Sequence, residues 1–394
     1  MNVADLFEQK FGKPAEGISF CPYRVCPLGA HVDHNLGKIT GFAIDKGIYV
    51  AYSSPNPSGN RGTILVSSVQ FDSVQVWHVD DFLNQKKGDW ADYLRGATKA
   101  LKKKFPLETG ILAMIAGDLP IGGLSSSAAV IISFLSALCR VNEIHLTQAQ
   151  MVELALEAEH DFVGVACGKL DQSCEVYSKK DQLLFLDTKD DSYELIAKPD
   201  KMKPFGIGIF FSGVERNLIG SKYNMRADEA RSAAYALMAY AGMEYGKFGE
   251  TNLRDVPYEV FLQYKDRLPD PFRRRAEHWF GEYNRVERGV KAWRDGDIEA
   301  FGALSFESGE SSINLWETGS PELKAIYEIM RDTDGIYGGR FSGAGFKGCC
   351  MALVDPEKWD EIRLKVETEY LKAFPKLENK YCACLCDSAD GVLL

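Results

Sequence analysis

Three stretches of the 394-residue chain combine residue types suited to holding and transferring a charged group. The first is Pro120-Ile-Gly-Gly-Leu-Ser-Ser-Ser-Ala128. It follows the strand-like run Ile111–Ala116 and leads into Ala129–Leu138, where Val130, Ile131, Phe134, Leu135 and Leu138 recur at helical spacing. A glycine-rich turn feeding a helix start presents backbone N–H groups with no intrahelical partner, and the helix dipole adds partial positive charge there. Small residues at Gly122, Gly123, Ser125, Ser126 and Ser127 would let an anion reach that backbone, so the turn can cradle phosphate. The same residues would also serve as a serine-rich N-cap of an ordinary helix. The turn alone does not choose between the two.

The second stretch carries carboxylates. A helix predicted from Thr147, its N-cap, to Asp161 places Glu159 near its far end, where the helix dipole disfavours negative charge. A placement that local physics opposes points toward function. Gly164-Val-Ala-Cys-Gly-Lys-Leu-Asp-Gln172 follows, its glycines allowing close approach of a ligand with Asp171 directly after. On its residues alone, Asp171 reads as a loop carboxylate. The third stretch, Ile18–Gly29, is mostly apolar with Arg24 at its centre, an arginine that needs an anionic partner or an exit to water. It runs into Ala30-His-Val-Asp-His-Asn-Leu-Gly37, dense in hydrogen-bonding groups.

The elements that must position these groups read as mixed. Strands are expected over Gly47–Tyr52, Thr63–Ser67, Val74–His78, Gln182–Asp187, Phe205–Ser212 and Cys349–Val354. Helices are expected from Trp90 into the basic Lys102-Lys-Lys104, from Met225 to about Gly242, and over Pro321–Arg331. The charged region Asn252–Arg294 reads as helical and exposed, broken at Pro269 and Pro271. The length suits two domains, which the pattern divides into 1–195 and 196–394.

A net charge of -10 argues against general nucleic-acid binding, because phosphate backbones need basic surface. No signal peptide and no apolar run of membrane-spanning length is expected. Ten cysteines without an evident disulfide framework read as reduced, in a cytoplasmic protein. Cys382, Cys384 and Cys386 alternate as one face of a strand, not at the spacing of a zinc site. Cys349 and Cys350 read as core. The P-loop, the protein-kinase catalytic loop, the G-x-S-x-G elbow and H-E-x-x-H are all absent. Gly343, Gly345 and Gly348 fit G-x-G-x-x-G, but they precede a strand instead of opening a helix, so a dinucleotide site fails on context.

Taken together, the motifs resemble those of the GHMP kinases, in particular the galactokinase branch and its galacturonokinase form. Pro120–Ala128 resembles the second signature, P-x-x-x-G-L-S-S-S-A, and Arg340-Phe-Ser-Gly-Ala-Gly-Phe-Lys-Gly348 the third, with Lys347 where galactokinases carry glycine. Pro22-Tyr-Arg-Val-Cys-Pro-Leu-Gly-Ala-His-Val-Asp33 is similar to P-G-R-V-N-L-I-G-E-H-T-D. Ala158–Gln172 is similar to A-E-H-x-F-x-G-x-x-C-G-x-x-D-Q, and Trp90–Gly96 and Ala389-Asp-Gly391 also match. The resemblance implies an α+β fold of two domains, the first ribosomal-protein-like and the second ferredoxin-like, with ATP between them. It implies a sugar 1-kinase using MgATP. Asp171 would take the proton of the anomeric hydroxyl, with Arg24 beside it. Ser127 and Glu159 would hold Mg²⁺. Gly122, Gly123, Leu124, Ser125, Ser126, Ser127, Ala128, Gly343 and Gly345 would bind ATP. Ala30, His31, Asp33, His34, Gly168 and Tyr223 would form the sugar site. The partners implied are a small sugar or sugar acid and the nucleotide, with neither nucleic acid nor membrane.

Ala30 departs from the galactokinase pattern, which places glutamate there to receive the C6 hydroxyl. Two like charges about 4 Å apart at an effective dielectric near 20 repel by roughly 4 kcal/mol, which is on the order of a thousandfold in affinity. Ala30 would remove that repulsion for a sugar carrying a C6 carboxylate, making D-galacturonate the favoured substrate. His34 and Lys38 are the candidate partners of that carboxylate by sequence proximity. Galactose or another sugar is the alternative substrate, and a non-catalytic sugar sensor is the alternative of another class.

Overall fold

A computed structural model describes residues 2–55, 60–80, 86–165, 167–214 and 223–394. Its first sheet is organised on one long strand. Helix α1 (Val3–Phe11) leads into β1 (Gly17–Val25), and β2 (Lys38–Ser53) returns antiparallel to it. The register shifts between Pro22 and Arg24, where proline has no N–H for the ladder. Such a bulge re-aims the side chain that follows, here Arg24. Next come β3 (Thr63–Ser68), β4 (Gln75–His78), α2 (Asp92–Lys104) and β5 (Leu112–Gly117). Then follow α3 (Ser126–Val141), α4 (Gln148–Glu157), α5 (Leu170–Tyr177), β6 (Gln182–Asp187) and β7 (Tyr193–Ala197). The sheet order is β4-β3-β5-β2-β6-β7, with β1 pairing β2. Leu94, Leu101, Ile131, Phe134, Leu135, Leu138 and Leu154 fill the core between this sheet and its helices.

Thr147 caps α4 in a complete capping box with Gln150. The helix does not simply end near Glu159, as the sequence suggested. It widens into a π-helical turn, Ala158–Val163, and closes on Gly164 in the left-handed region. Such insertions are frequent at functional sites.

Strand β8 (Gly206–Phe211) opens the second sheet. A helical run follows: α6 (Tyr223–Tyr240), α7 (Tyr258–Tyr264), α8 (Asp270–Arg294), α9 (Ile298–Asn314) and α10 (Pro321–Arg331). The sheet is completed by β9 (Ile336–Phe341), β10 (Cys349–Val354) and, after α11 (Trp359–Ala373), β11 (Cys382–Cys386), in the order β11-β8-β10-β9. The last strand, β12 (Ser388–Ala389), crosses back to pair with β2. Residues 215–222, inside the polar stretch before α6, lie outside the described residues.

The expectation of an exposed Asn252–Arg294 region is corrected. Pro271 sits in the first turn of α8, where its missing N–H costs nothing. One face of that helix buries Arg275, His278, Trp279 and Glu282. Charge patterning misleads here because these groups are satisfied inside, Arg275 by Glu229 at 2.7 Å and Glu282 by the loop after β1. All ten cysteines are free, and Cys382, Cys384 and Cys386 lie on a strand as expected. Among the described residues, no helix is long and apolar enough to cross a membrane.

Candidate active site

A cavity of about 370 Å³ lies where the two sheets' glycine-rich loops meet. Arg24, Ala30, His31, Asp33, Gly122, Gly123, Ser125, Ser126, Ser127, Glu159, Gly168, Asp171, Tyr223 and Gly343 all line it. Its centre is an ion pair. Arg24, placed by the β1 bulge, brings Nε and Nη2 each to 2.7 Å from Oδ1 of Asp171, on the first turn of α5. Burial alone would lower the Arg24 pKa, but the Asp171 carboxylate more than compensates and holds it above the ordinary value. The third nitrogen, Nη1, donates to the carbonyl of Gly123 at 3.0 Å, tying the pair to the glycine-serine turn.

That turn opens α3. Ser125 occupies the N-cap position of α3 in the left-handed region, and its side chain makes no capping hydrogen bond. The serine-rich N-cap reading therefore does not hold for Ser125, whose side chain leaves the first amides of α3 uncapped. The loop before β10 packs on it backbone to backbone. A Cβ at Gly348 would lie 2.7 Å from Gly122 C, so only glycine lets the two loops meet. Ser342 Oγ also donates to Gly123 O at 2.7 Å.

Glu159, buried in the π-helical turn, accepts from Gln172 Nε2, from Cys167 Sγ at 3.4 Å and from the Ser127 hydroxyl. Burial first, and then the Asp171 charge, push its pKa up to about 7. Glu175, one turn beyond Asp171, is fully buried and raised well above the carboxylate range, chiefly by desolvation. Among the described residues, no group of three or more His, Cys, Asp or Glu side chains could hold a metal ion.

The loop after β1 is held from across the molecule. Glu282 Oε1 accepts the amides of Gly29 at 2.8 Å and Ala30 at 3.2 Å, His278 Nε2 donates to Ala30 O at 3.0 Å, and Trp279 Nε1 donates to Val32 O at 3.3 Å. His31 stacks on Trp316 with ring centroids 5.2 Å apart. Asp33 accepts the Leu170 amide at 3.2 Å, and a Cβ at Gly168 would fall 2.2 Å from its carboxylate. His34 faces an adjoining cavity shared with Lys169 and Arg231, not the first one. Lys38 pairs with Glu287 at 2.5 Å and lines neither cavity.

Family comparisons follow this geometry. The GHMP kinases N terminal domain matches residues 92–179, the GHMP kinases C terminal residues 290–373, and the galactokinase galactose-binding signature residues 5–54. The chain is 37% identical to a galacturonokinase of Arabidopsis thaliana, covering 95% of this chain and 92% of that protein. It is 30% identical to a galactokinase of Thermotoga neapolitana, covering 94% and 98%. The chain belongs to the GHMP kinase family. Its fold is that of a solved Lactococcus lactis galactokinase complexed with galactose, at a TM-score of 0.88 and 24% identity over 99% of this chain and 98% of that one. As a sugar kinase of this family, it uses ATP.

Within this GHMP kinase, Leu124 and Ala128 point into the core and Gly345 packs under Phe341, so these three support the turn and do not line the cavity. Sequence reasoning missed other wall residues. Asp89 and Asp92 clamp Arg95 at 2.7 and 2.6 Å, and Asp92 also takes the amides of Lys87 and Gly88. The Trp90–Gly96 motif carried that signal, although not its purpose. Its Gly96 lets α2 approach the turn that holds Glu159, a Cβ there meeting Ala158 O at 2.9 Å. Cys26 and the buried Arg340 also line the cavity; both lie inside stretches that carried the resemblance, Pro22–Asp33 and Arg340–Gly348, but neither was singled out for the site.

Proposed function

We propose that the protein transfers the γ-phosphoryl group of MgATP to the anomeric hydroxyl of D-galacturonate. The observation that carries the substrate choice is Ala30. Its methyl group stands in the cavity wall with His31 and Asp33, where a carboxylate side chain would repel a uronate. The 37% identical relative is a galacturonokinase, and those at 30% are galactokinases, which supports the same choice.

Asp171 accepts the proton as the anomeric oxygen attacks the γ-phosphorus and ADP departs. Arg24 orients that carboxylate by gripping its Oδ1, and the uncapped amides of α3 take the phosphates. His31, Asp33, Gly168 and Tyr223 hold the sugar ring. The residues present fit magnesium: Ser127 and Glu159 offer hard oxygen donors, and the buried Glu159, repelled by Asp171, gains from a cation beside it. When bound with ATP, the ion neutralises charge on the phosphates. Free cysteines throughout support a reducing, cytoplasmic setting.

The test is ATP consumption with magnesium against D-galacturonate, D-galactose and D-glucuronate. Preference for galacturonate with a 1-phosphate product is expected. Preference for galactose would overturn the substrate and leave a galactokinase, the reading that the 30% identical relatives favour.

A further inference from the structure

Trp316 is a buried hub behind the sugar pocket. It follows α9, is fully enclosed, and has three histidine rings packed on its indole. His31 stacks on it nearly parallel, at 8° with centroids 5.2 Å apart, while His34 and His278 lean on it at 5.3 Å. Of these three, His31 lines the catalytic cavity. Trp316 itself does not, so whatever it does for a substrate passes through a neighbour.

His31 needs such a support. Its backbone sits at φ 59°, in the left-handed region, which a non-glycine residue keeps only when its surroundings over-determine it. His278 holds the backbone of this loop through Ala30 O, and Trp316 holds the His31 ring by its face. Packing alone does not account for a tryptophan there. Its Nε1–H is buried and meets no acceptor among the described residues, an unfavourable arrangement that an all-carbon ring would avoid. What the indole offers beyond a smaller ring is a plane broad enough for three neighbours.

That plane is held rigidly. Trp316 N donates to Ser311 O at 3.1 Å, and the Arg275 guanidinium stands 5.9 Å from the ring centroid. The next residue, Glu317, is also in the left-handed region and binds Arg275 at 2.5 Å, Arg274 at 2.7 Å and Arg226 at 3.3 Å. Arg226 lies in the first turn of α6, whose first residue, Tyr223, lines the cavity. Gly319 N then donates to Gly345 O at 2.8 Å, in the third glycine-rich stretch. One short loop thus ties together the His31 loop, the helix of Tyr223 and the loop before β10.

We propose that Trp316 is a positioning residue of the sugar site, acting through His31: its indole sets the plane of the imidazole that meets the sugar. The assignment rests on the placement of the sugar against His31 given above. Losing this platform loosens the sugar and leaves the chemistry at Asp171 in place.

The experiment is a double-mutant cycle on the full chain, with Trp316→Leu, His31→Asn and the pair, read by steady-state kinetics on the sugar that wild type turns over best. Trp316→Leu should raise the KM for sugar by roughly 3- to 10-fold, the range of a lost aromatic stack. Its kcat and its KM for ATP should change little. In the His31→Asn background the same substitution should add less than about twofold, because the route through His31 is already gone. Trp316→Phe, which keeps an aromatic face, should restore most of the wild-type KM. It also removes the indole, so the change in intrinsic fluorescence that sugar causes in wild type should be lost. Full additivity in the cycle, or equal losses on sugar and ATP, would leave Trp316 a structural role only and overturn the proposal. Should Trp316→Leu not fold, Trp316→Phe decides by itself, since a sugar-induced fluorescence change kept in full overturns the proposal. An unaltered sugar KM in His31→Asn fails the sugar placement, a result distinct from additivity at Trp316.

Discussion

Arg24 meets Asp171 through one oxygen only. Nε and Nη2 both fall on Oδ1, while Oδ2 accepts no hydrogen bond among the described residues. A carboxylate gripped this way is oriented yet keeps one oxygen for a substrate hydroxyl. Asp171→Asn retains an Oδ1 acceptor for Arg24 and removes the base. Turnover should fall by about 10²–10⁴-fold, the usual contribution of a positioned general base. The KM values should move little, and so should the thermal midpoint. A variant with near-normal kcat would remove Asp171 from the chemistry.

Ala30→Glu places a second carboxylate beside the sugar's own. With about 4 kcal/mol of repulsion, kcat/KM for galacturonate should drop roughly a thousandfold. Galactose, which brings no charge, should be retained or improved. Steady-state kinetics on both sugars check this, and a uniform loss on both would show a damaged loop, not a changed preference.

Gly168→Ala tests how the sugar loop meets α5. The added Cβ would fall 2.2 Å from the Asp33 carboxylate, which is buried and held by the Leu170 amide, so Asp33 must move. A displacement near 1 Å in a positioning group costs on the order of 10²-fold. That loss should fall on kcat/KM for the sugar, with the KM for ATP unchanged. Equal effects on both substrates would contradict the placement.

The sequence carried these features unevenly, for physical reasons. Gly122, Gly123 and the serines announce themselves because their demands are local: small residues, a turn, a helix start. The Arg24–Asp171 pair spans 147 positions, so composition shows two suspicious residues but not their contact. Resemblance supplied it. The buried face of α8 was misread because Glu282 and His278 find partners about 250 residues away, and such groups look like solvent-facing charge when viewed along the chain. The terminal Ala389-Asp-Gly391 motif was recognisable but unexplained. In the fold, Gly391 N donates to Ser178 O and Val392 N to Glu175 O, latching the end of the helix that carries Asp171.

His278 makes stability depend on pH in a defined window. Its Nε2–H donates to the Ala30 carbonyl, which can only accept, and because burial disfavours a second proton on the ring, Nδ1 receives the Ser311 hydroxyl at 2.8 Å. Burial, the largest influence, holds its folded pKa at about 4, below the roughly 6.5 of an exposed imidazole. Between those values the unfolded chain binds a proton that the folded one refuses, so folding stability falls as pH falls. The contribution is complete above about pH 6.5 and is lost progressively toward pH 4, at up to about 1.4 kcal/mol per pH unit. His278→Gln keeps a donor for Ala30 O and abolishes the titration. It should lower stability at pH 7.5 by about 1 kcal/mol through the lost Ser311 bond, yet flatten the decline between pH 6.5 and 5. Denaturant titrations at four pH values over that range, on both proteins, read the two slopes directly. Parallel slopes would mean that His278 is protonated in the fold, and its bond to Ala30 would then have to be redrawn as that of an imidazolium.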